Sequence, residues 1–296
     1  MATTNSSTTD VSVLGTGAVG TRITEVLIDS GMTVTVWNRT PDRARPLGER
    51  GAAVAATPLA AATASPLLLL TLTDHNAVVD VLDATAVGLA GRVVATLTTG
   101  TPDEARAAAE RVASAGGAYL DGAVQTPPED LGTEAAVLLL SGSPEAYDQH
   151  RDALELLGAR HVGAEPAAAA VHDLALFGLW YDAQIAHLRA LDIVRASGID
   201  VEVFAPWAAN QLQHVVTGAA EAAREVATRS YPRGPADLTE HAPLLDRIVA
   251  LRRAHRLGGG GLAHVHRLVE QGIAEGRGHE GLTAILDVSL ATRTSS

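Results

Sequence analysis

Between residue 11 and about residue 163, short apolar runs alternate with longer segments in which apolar residues recur every three or four positions. The runs are Val11–Leu14, Thr33–Trp37, Pro66–Leu72, Val93–Leu97, Ala118–Leu120 and Val137–Leu140, and they read as strands. Strands that are apolar on both faces belong to a parallel sheet covered by helices on each side, so this half is expected to be a doubly wound α/β domain. Asp121–Pro128 is rich in turn residues and is expected to be a loop beside the ligand-binding face. Past Pro166 the pattern changes. Ala167–Ser197 reads as one uninterrupted helix, with proline before it and Gly198 after it. At 1.5 Å per residue it is roughly 45 Å long, and apolar residues on nearly every side predict burial over most of its circumference. Beyond it only helical patterns remain: Val203–Thr228 with Pro206 in its first turn, Thr239–Arg256, Leu262–Glu275 and Gly281–Leu290. The expected organisation is therefore an α/β domain over 1–164, an interdomain helix over 165–197 and an all-α domain over 198–296.

The first strand runs directly into Gly15-Thr16-Gly17-Ala18-Val19-Gly20 and then a helix. A G-x-G-x-x-G between strand and helix is the dinucleotide-binding fingerprint of a Rossmann domain. Gly15 allows the tight turn, Gly17 admits the pyrophosphate, and Gly20 lets helix approach strand. The second strand ends in Asn38-Arg39-Thr40, with Arg43 a turn later. An NAD-binding chain places an acidic residue here for the ribose hydroxyl. A guanidinium instead suits a 2′-phosphate, which predicts NADPH. Leu72, Thr73, Thr98, Thr99, Thr101 and Val124 lie at or just past strand ends on the same edge of the sheet and complete the expected cofactor contacts. His75 is expected to cap a helix or touch the cofactor.

Asp173 and Tyr181 sit eight residues apart in the apolar half of the long helix, about 80° apart around its axis. A carboxylate in such a place is costly unless chemistry needs it, so Asp173 is the candidate catalytic residue and Tyr181 its companion. Composition narrows the chemistry further. The chain has 296 residues, 47% of them hydrophobic, no cysteine, and 22 basic residues that are all arginine. Thiolate nucleophiles and Schiff bases through lysine are excluded. A net charge of -12 argues against nucleic acid or an anionic membrane as partner. The polar start MATTNSSTTD lacks the features of a signal peptide, no apolar run is long enough to span a bilayer, and a cytoplasmic protein is expected. The histidines have no metal-ligand spacing, so no metal is expected. Gly258–Gly261 reads as a joint between helices, since no strand precedes it.

Four segments together resemble the imine reductases and reductive aminases of the β-hydroxyacid dehydrogenase superfamily: Gly15-x-Gly17-x-x-Gly20, Trp37-Asn38-Arg39-Thr40-x-x-Arg43, Leu97-Thr98-Thr99-Gly100-Thr101-Pro102 and Tyr119-Leu120-Asp121-Gly122-Ala123. The closing segment Glu275–Leu282 resembles the family's C-terminal region. The resemblance implies NADPH-dependent hydride transfer to an imine or iminium, with Asp173 where the hydroxyacid dehydrogenases carry a lysine. Tyr181 resembles a tyrosine of the aspartate-bearing reductases. Reductive aminases often carry asparagine where Thr99 stands, a difference that bears on the joining of ketone and amine. Phe177, Trp207, Gln211, His214, Glu240 and His241, with Thr99, are the expected substrate contacts. The family architecture implies an intertwined homodimer whose partner helices cover the apolar faces left by one chain. Two other readings are a carbonyl-reducing relative, against which the missing lysine speaks, and an NADPH-binding protein without catalysis, against which the Asp173–Tyr181 pair speaks.

Overall fold

The computed structural model describes residues 8–257 and 260–293. The expected N-terminal lead-in, apart from its last three residues, and the first half of the four-glycine joint lie outside the described residues. Two compact units divide the chain, Met1–Leu179 and Trp180–Ser296.

The first unit is built on one sheet whose order is β3-β2-β1-β4-β5-β6-β7-β8. The strands are β1 (Val11–Leu14), β2 (Val34–Trp37), β3 (Ala53–Val54), β4 (Leu67–Leu70), β5 (Val93–Thr96), β6 (Ala118–Val124), β7 (Leu138–Gly142) and β8 (Ala159–Gly163). All neighbours are parallel except β6 and β7. Helices α1 (Ala18–Asp29), α2 (Arg45–Glu49), α3 (Pro58–Ala64), α4 (His75–Thr85), α5 (Pro102–Ser114), α6 (Pro144–Gln149) and α7 (Arg151–Glu155) fill the connections. The apolar runs are explained by two separate cores. Leu67 and Leu69 join Val11, Val13 and Leu120 in one cluster, whereas Leu68 and Leu70 join Leu14, Val94 and Tyr119 in the other. Successive residues of a strand point to opposite faces, so a strand covered on both sides is apolar at consecutive positions, as Leu67–Leu70 is.

The expected loop at Asp121–Pro128 is corrected in its first half. Asp121–Val124 continues β6 and pairs with β7, Leu120 opposite Gly142 and Val124 opposite Leu138. Gly122 is there for closeness and not for turning: a Cβ on it would lie 2.4 Å from Leu97 Cδ2 and 2.8 Å from Leu140 Cδ2. The two-residue β3 has too little pattern to be read in advance.

Helix α8 (Ala168–Ala196) starts in the first unit and ends in the second. Its length matches expectation, and a single chain buries only a small part of it. Only Ala169, Ala170 and Asp173 are buried, while Leu179 is 65% and Leu188 61% exposed. In the second unit, α9 (Val201–Thr228) begins earlier than expected because Asp200 caps it, accepting the Glu202 N–H at 2.8 Å. Pro206 therefore lies inside the helix and not in its first turn. Helices α10 (Leu238–Ala254), α11 (Gly260–Ala274) and α12 (Ile285–Arg293) follow, with Gly260 and Gly261 opening α11. Tyr231, Leu238, Leu245, Val269 and Ala284 form their small core. Among the described residues no helix is long and apolar enough to cross a membrane.

Gly142, where β7 ends, has φ +121° and would place a Cβ 2.4 Å from the Tyr119 carbonyl oxygen. Gly142→Ala should cost about 2 kcal/mol or more of stability, read as a lower urea midpoint at unchanged slope.

Candidate active site and cofactor cleft

The glycine loop leaves β1 in a conformation that side chains would obstruct. Gly15 has φ +105°, and a Cβ on it would sit 2.3 Å from the Thr71 carbonyl oxygen. A Cβ on Gly20 would lie 2.0 Å from the Gly15 carbonyl oxygen, itself an acceptor for the Thr71 hydroxyl at 2.7 Å. Gly17 differs: a Cβ there meets nothing within 4 Å. It is the N-cap of α1 and has no side chain to satisfy the helix's first N–H groups, and Ala18 and Val19 then open the helix. Those donors and the positive end of the helix dipole are left for an anion.

Asn38 fixes the loop from the next strand. Its Oδ1 accepts the Thr16 N–H at 3.1 Å, and its Nδ2 donates to the Thr40 carbonyl at 3.0 Å. The Thr16 hydroxyl oxygen is buried without a hydrogen-bond partner. A cavity of about 320 Å³ is lined by Gly15, Gly17, Asn38, Arg39, Thr40 and Arg43, with Leu72 and Thr73 opposite. Open space over Gly17, unsatisfied N–H groups and two arginines at the far end fit a dinucleotide carrying a 2′-phosphate. The Thr98 hydroxyl ties β5 to β4, donating to the Leu72 carbonyl and accepting its N–H, both at 3.1 Å. Thr101 caps α5 in a reciprocal box with Glu104. Val124 closes β6. The cap of α4 is Asp74, which accepts the Ala77 N–H at 2.9 Å; His75 is the helix's first residue and does not cap it.

Asp173 is 1% exposed. Gln125 Nε2 donates to its Oδ1, while Oδ2 is buried and accepts no hydrogen bond. Burial raises its pKa, opposed by the Thr99 and Gln125 side chains, which favour the charged form. No arginine pairs with it among the described residues; Arg22 instead donates to the Leu131 carbonyl at 3.1 Å. Gln125 was not singled out in the sequence as a site residue. It follows directly on β6, and reading the strand to its true end would have placed it at the sheet's ligand-binding edge. A second carboxylate, Asp121, is also buried, receiving the Tyr119 hydroxyl at 3.1 Å and the Thr96 hydroxyl at 3.3 Å. Desolvation pushes its pKa up to about 6.

Phe177 is partly exposed, a turn beyond Asp173. In the second unit Tyr181 is 59% exposed, its ring edge-on to Trp180 at 4.9 Å. Trp207, Gln211 and His214 are exposed on α9. Glu240 is committed locally: it completes the N-terminal box of α10 with Asp237 and pairs with Arg233 at 2.5 Å. His241 lines a cavity of about 200 Å³ with Glu221, Glu225 and Pro232.

A glycine loop opening a parallel sheet, arginines where a 2′-phosphate would lie and a buried carboxylate together define an NADPH-dependent oxidoreductase. Residues 10–165 match the NAD binding domain of 6-phosphogluconate dehydrogenase, and residues 165–290 match the C-terminal domain of NADPH-dependent reductive aminase-like proteins. An NADPH-dependent reductive aminase of Aspergillus oryzae is 29% identical over 287 residues, spanning 94% of this chain and 96% of that one. A reductive aminase from Aspergillus terreus, solved with NADPH and ethyl levulinate, is 33% identical with a TM-score of 0.85, covering 95% of this chain and 99% of that one. An imine reductase from Myxococcus stipitatus solved with NADP+ is 26% identical with a TM-score of 0.86, covering 94% and 99%. The chain belongs to the imine reductase and reductive aminase family, NADPH-dependent oxidoreductases acting on C=N bonds.

Two measurements test the site. Arg39→Ala should weaken NADPH by about tenfold or more, roughly 1.4 kcal/mol, while leaving NADH nearly unaffected; titration with both cofactors decides it. Asp121 has a raised native pKa, so between its unfolded value near 4 and about pH 6 the native state holds more protons. The stability this confers is present below pH 4 and lost as pH rises through about 6. Relative to Asp121→Asn, the native enzyme should lose up to ~3 kcal/mol between pH 4 and 7, measured by urea unfolding.

Proposed function

We propose that the enzyme reduces imines by using Asp173 to hold and protonate the substrate nitrogen, with Tyr181 on the proton path. The observation that carries this reading is the Asp173 carboxyl itself: buried, anchored through Oδ1 by Gln125, with Oδ2 left as an acceptor. NADPH, when bound, supplies the hydride from C4. Gln125 and Thr99 keep Asp173 oriented and favour its charge, and burial keeps water from competing for it. A carboxylate in this setting raises the basicity of an imine nitrogen beside it, so the electrophilic iminium forms at a pH where free imine is largely neutral. The raised carboxyl pKa also suits Asp173 to carry the proton that it gives up.

In this reading the substrate is a small imine, or a ketone and amine that combine on the enzyme. Support for the second comes from an Aspergillus terreus relative solved with cyclohexanone and allyl amine. Phe177, Trp207, Gln211, His214 and His241 serve as substrate contacts in the assembled enzyme, while Glu240 is paired with Arg233. The assembly is a homodimer. Val203, Trp207, Val215 and Val216 on α9 are each at least 65% exposed in a single chain, and Leu179 and Leu188 on α8 add to them. Apolar faces of this extent are what an obligate partner covers. A cytoplasmic setting suits an enzyme that consumes NADPH.

Asp173→Asn should bind NADPH normally and lose about 10²-fold in kcat on a neutral cyclic imine, close to 2.7 kcal/mol. An N-alkylated iminium, whose charge is fixed, should lose far less because it needs no protonation. Full activity of Asp173→Asn on the neutral imine would remove the assignment. Tyr181→Phe should cost about as much as Asp173→Asn if Tyr181 relays the proton, and it is the direct test of that role. Sedimentation at micromolar concentration should give a dimer burying at least ~2,000 Å² in total; a stable folded monomer would contradict it.

A further inference from the structure

A line of buried polar side chains crosses three strands of the sheet. Thr96 on β5 is in register with Asp121 on β6, and Asp121 with Ser141 on β7. All three are buried, Asp121 at 6% exposure and Ser141 at 0%. Registered residues of neighbouring strands share a face, so the three stand side by side. Each is costly there without a partner. Thr96 finds its partners within the sheet, in Tyr119 and Asp121; for Ser141 the partner is the first turn of α8. The Ser141 hydroxyl accepts the Ala169 N–H and donates to the Pro166 carbonyl, both at 2.8 Å. The Ala170 N–H acts on Asp121 from the same turn, favouring its ionised form. Glu165 takes the Ala167 N–H on its side chain at 2.7 Å and the Ala168 N–H on its carbonyl at 3.0 Å. Ala167, Ala169 and Ala170 are buried, so water is no substitute for these acceptors. Asp173 follows one turn later, on the same side of the helix.

We propose that Asp121 is a positioning residue for catalysis: by holding the first turn of α8 it fixes the Asp173 carboxyl, and its own charge strengthens the field at the substrate nitrogen. This rests on the reading of Asp173 given above. Two titratable groups act on Asp121, Tyr119 on its own strand and Asp173 on α8. Tyr119 is held well above its ordinary pKa by burial and by Asp121, so it stays a neutral donor. Thr96, Tyr119 and Asp121 make three mutual oxygen contacts, of 2.5, 3.1 and 3.3 Å. Two hydroxyl hydrogens serve three contacts when Asp121 is ionised, and three serve them when it is protonated. Desolvation and the Asp173 charge favour the protonated form, while Tyr119, Thr96 and the Ala170 N–H favour the ionised one, and the balance lies at about 6. Above that value Asp121 adds a negative charge behind the first turn of α8. Below it that charge is gone.

The test compares kcat on one cyclic imine for the native enzyme and Asp121→Asn across pH. Their ratio cancels the substrate's own titration. It should be about tenfold near pH 8 and fall toward one below pH 5, with NADPH affinity within about twofold. A ratio that stays constant with pH, or equals one throughout, overturns the proposal, because a merely structural role moves the melting temperature and not the pH dependence. Should Asp121→Asn not fold, Thr96→Val carries the test. It keeps shape but removes a donor that favours ionised Asp121, so the inflection in kcat must move above about pH 6, and an unmoved inflection overturns the proposal. Asp173→Asn is measured beside them. If that variant is fully active, the reading of Asp173 fails and takes this one with it; if it is inactive while the Asp121 ratio is flat, only the role of Asp121 fails.

Discussion

A helix that begins against the face of a sheet takes its first N–H groups out of water, and something in the sheet has to accept them. Here the acceptor in the sheet is Ser141, with Asp121 beside it favoured in its charged form by the Ala170 N–H, and Glu165 supplies further acceptors from the chain leading in. The start of α8 is thereby fixed to the sheet by polar contacts of defined direction and not by apolar contact alone, which tolerates sliding. Asp173 inherits that precision because it lies on the next turn. The same burial that demands the acceptors also desolvates Asp173 and makes its charge matter. With the role proposed for Asp173, support and reactivity have one cause.

The cofactor edge follows a different logic. Its main parts are things absent: side chains missing at Gly15, Gly17 and Gly20, and a helix cap missing at the start of α1. Asn38 is the exception, a side chain spent on the Thr16 N–H and the Thr40 carbonyl so that Arg39 and Thr40 are presented at the cavity. Asparagine at this position couples the shape of the glycine loop to the arginine-bearing end of the cavity. Thr98 does similar work at the other side, holding the ends of β4 and β5 together.

Much of this was legible in the order of residues. The glycine fingerprint and the runs such as Leu67–Leu70 carry strong signals, because a strand buried on both faces favours apolar residues at successive positions. The long helix was legible for the same reason, bounded by Pro166 and Gly198. Asp173 stood out as a charge in apolar surroundings. What escaped were residues whose meaning comes from pairing. Asp121, with Gly122 beside it, looks like a turn, and only the antiparallel contact with β7 shows that it is strand. With the strand cut short, Gln125 had no assigned place at the sheet edge, and the register of Thr96, Asp121 and Ser141 could not be drawn. The exposed apolar faces of α8 and α9 agree with the expectation that one chain does not cover them by itself.

The contrast among the three glycines has a practical side. At Gly15 and Gly20 the space for a Cβ is already filled by backbone, so the fold itself forbids change there. At Gly17 the space is empty, and the constraint on that position comes from what must lie over it. Folding and recognition are thus enforced at different letters of the same short motif. A side chain at Gly17 is therefore expected to leave the protein intact and to act only on what binds over the loop, so that the contributions of scaffold and of bound dinucleotide can be told apart.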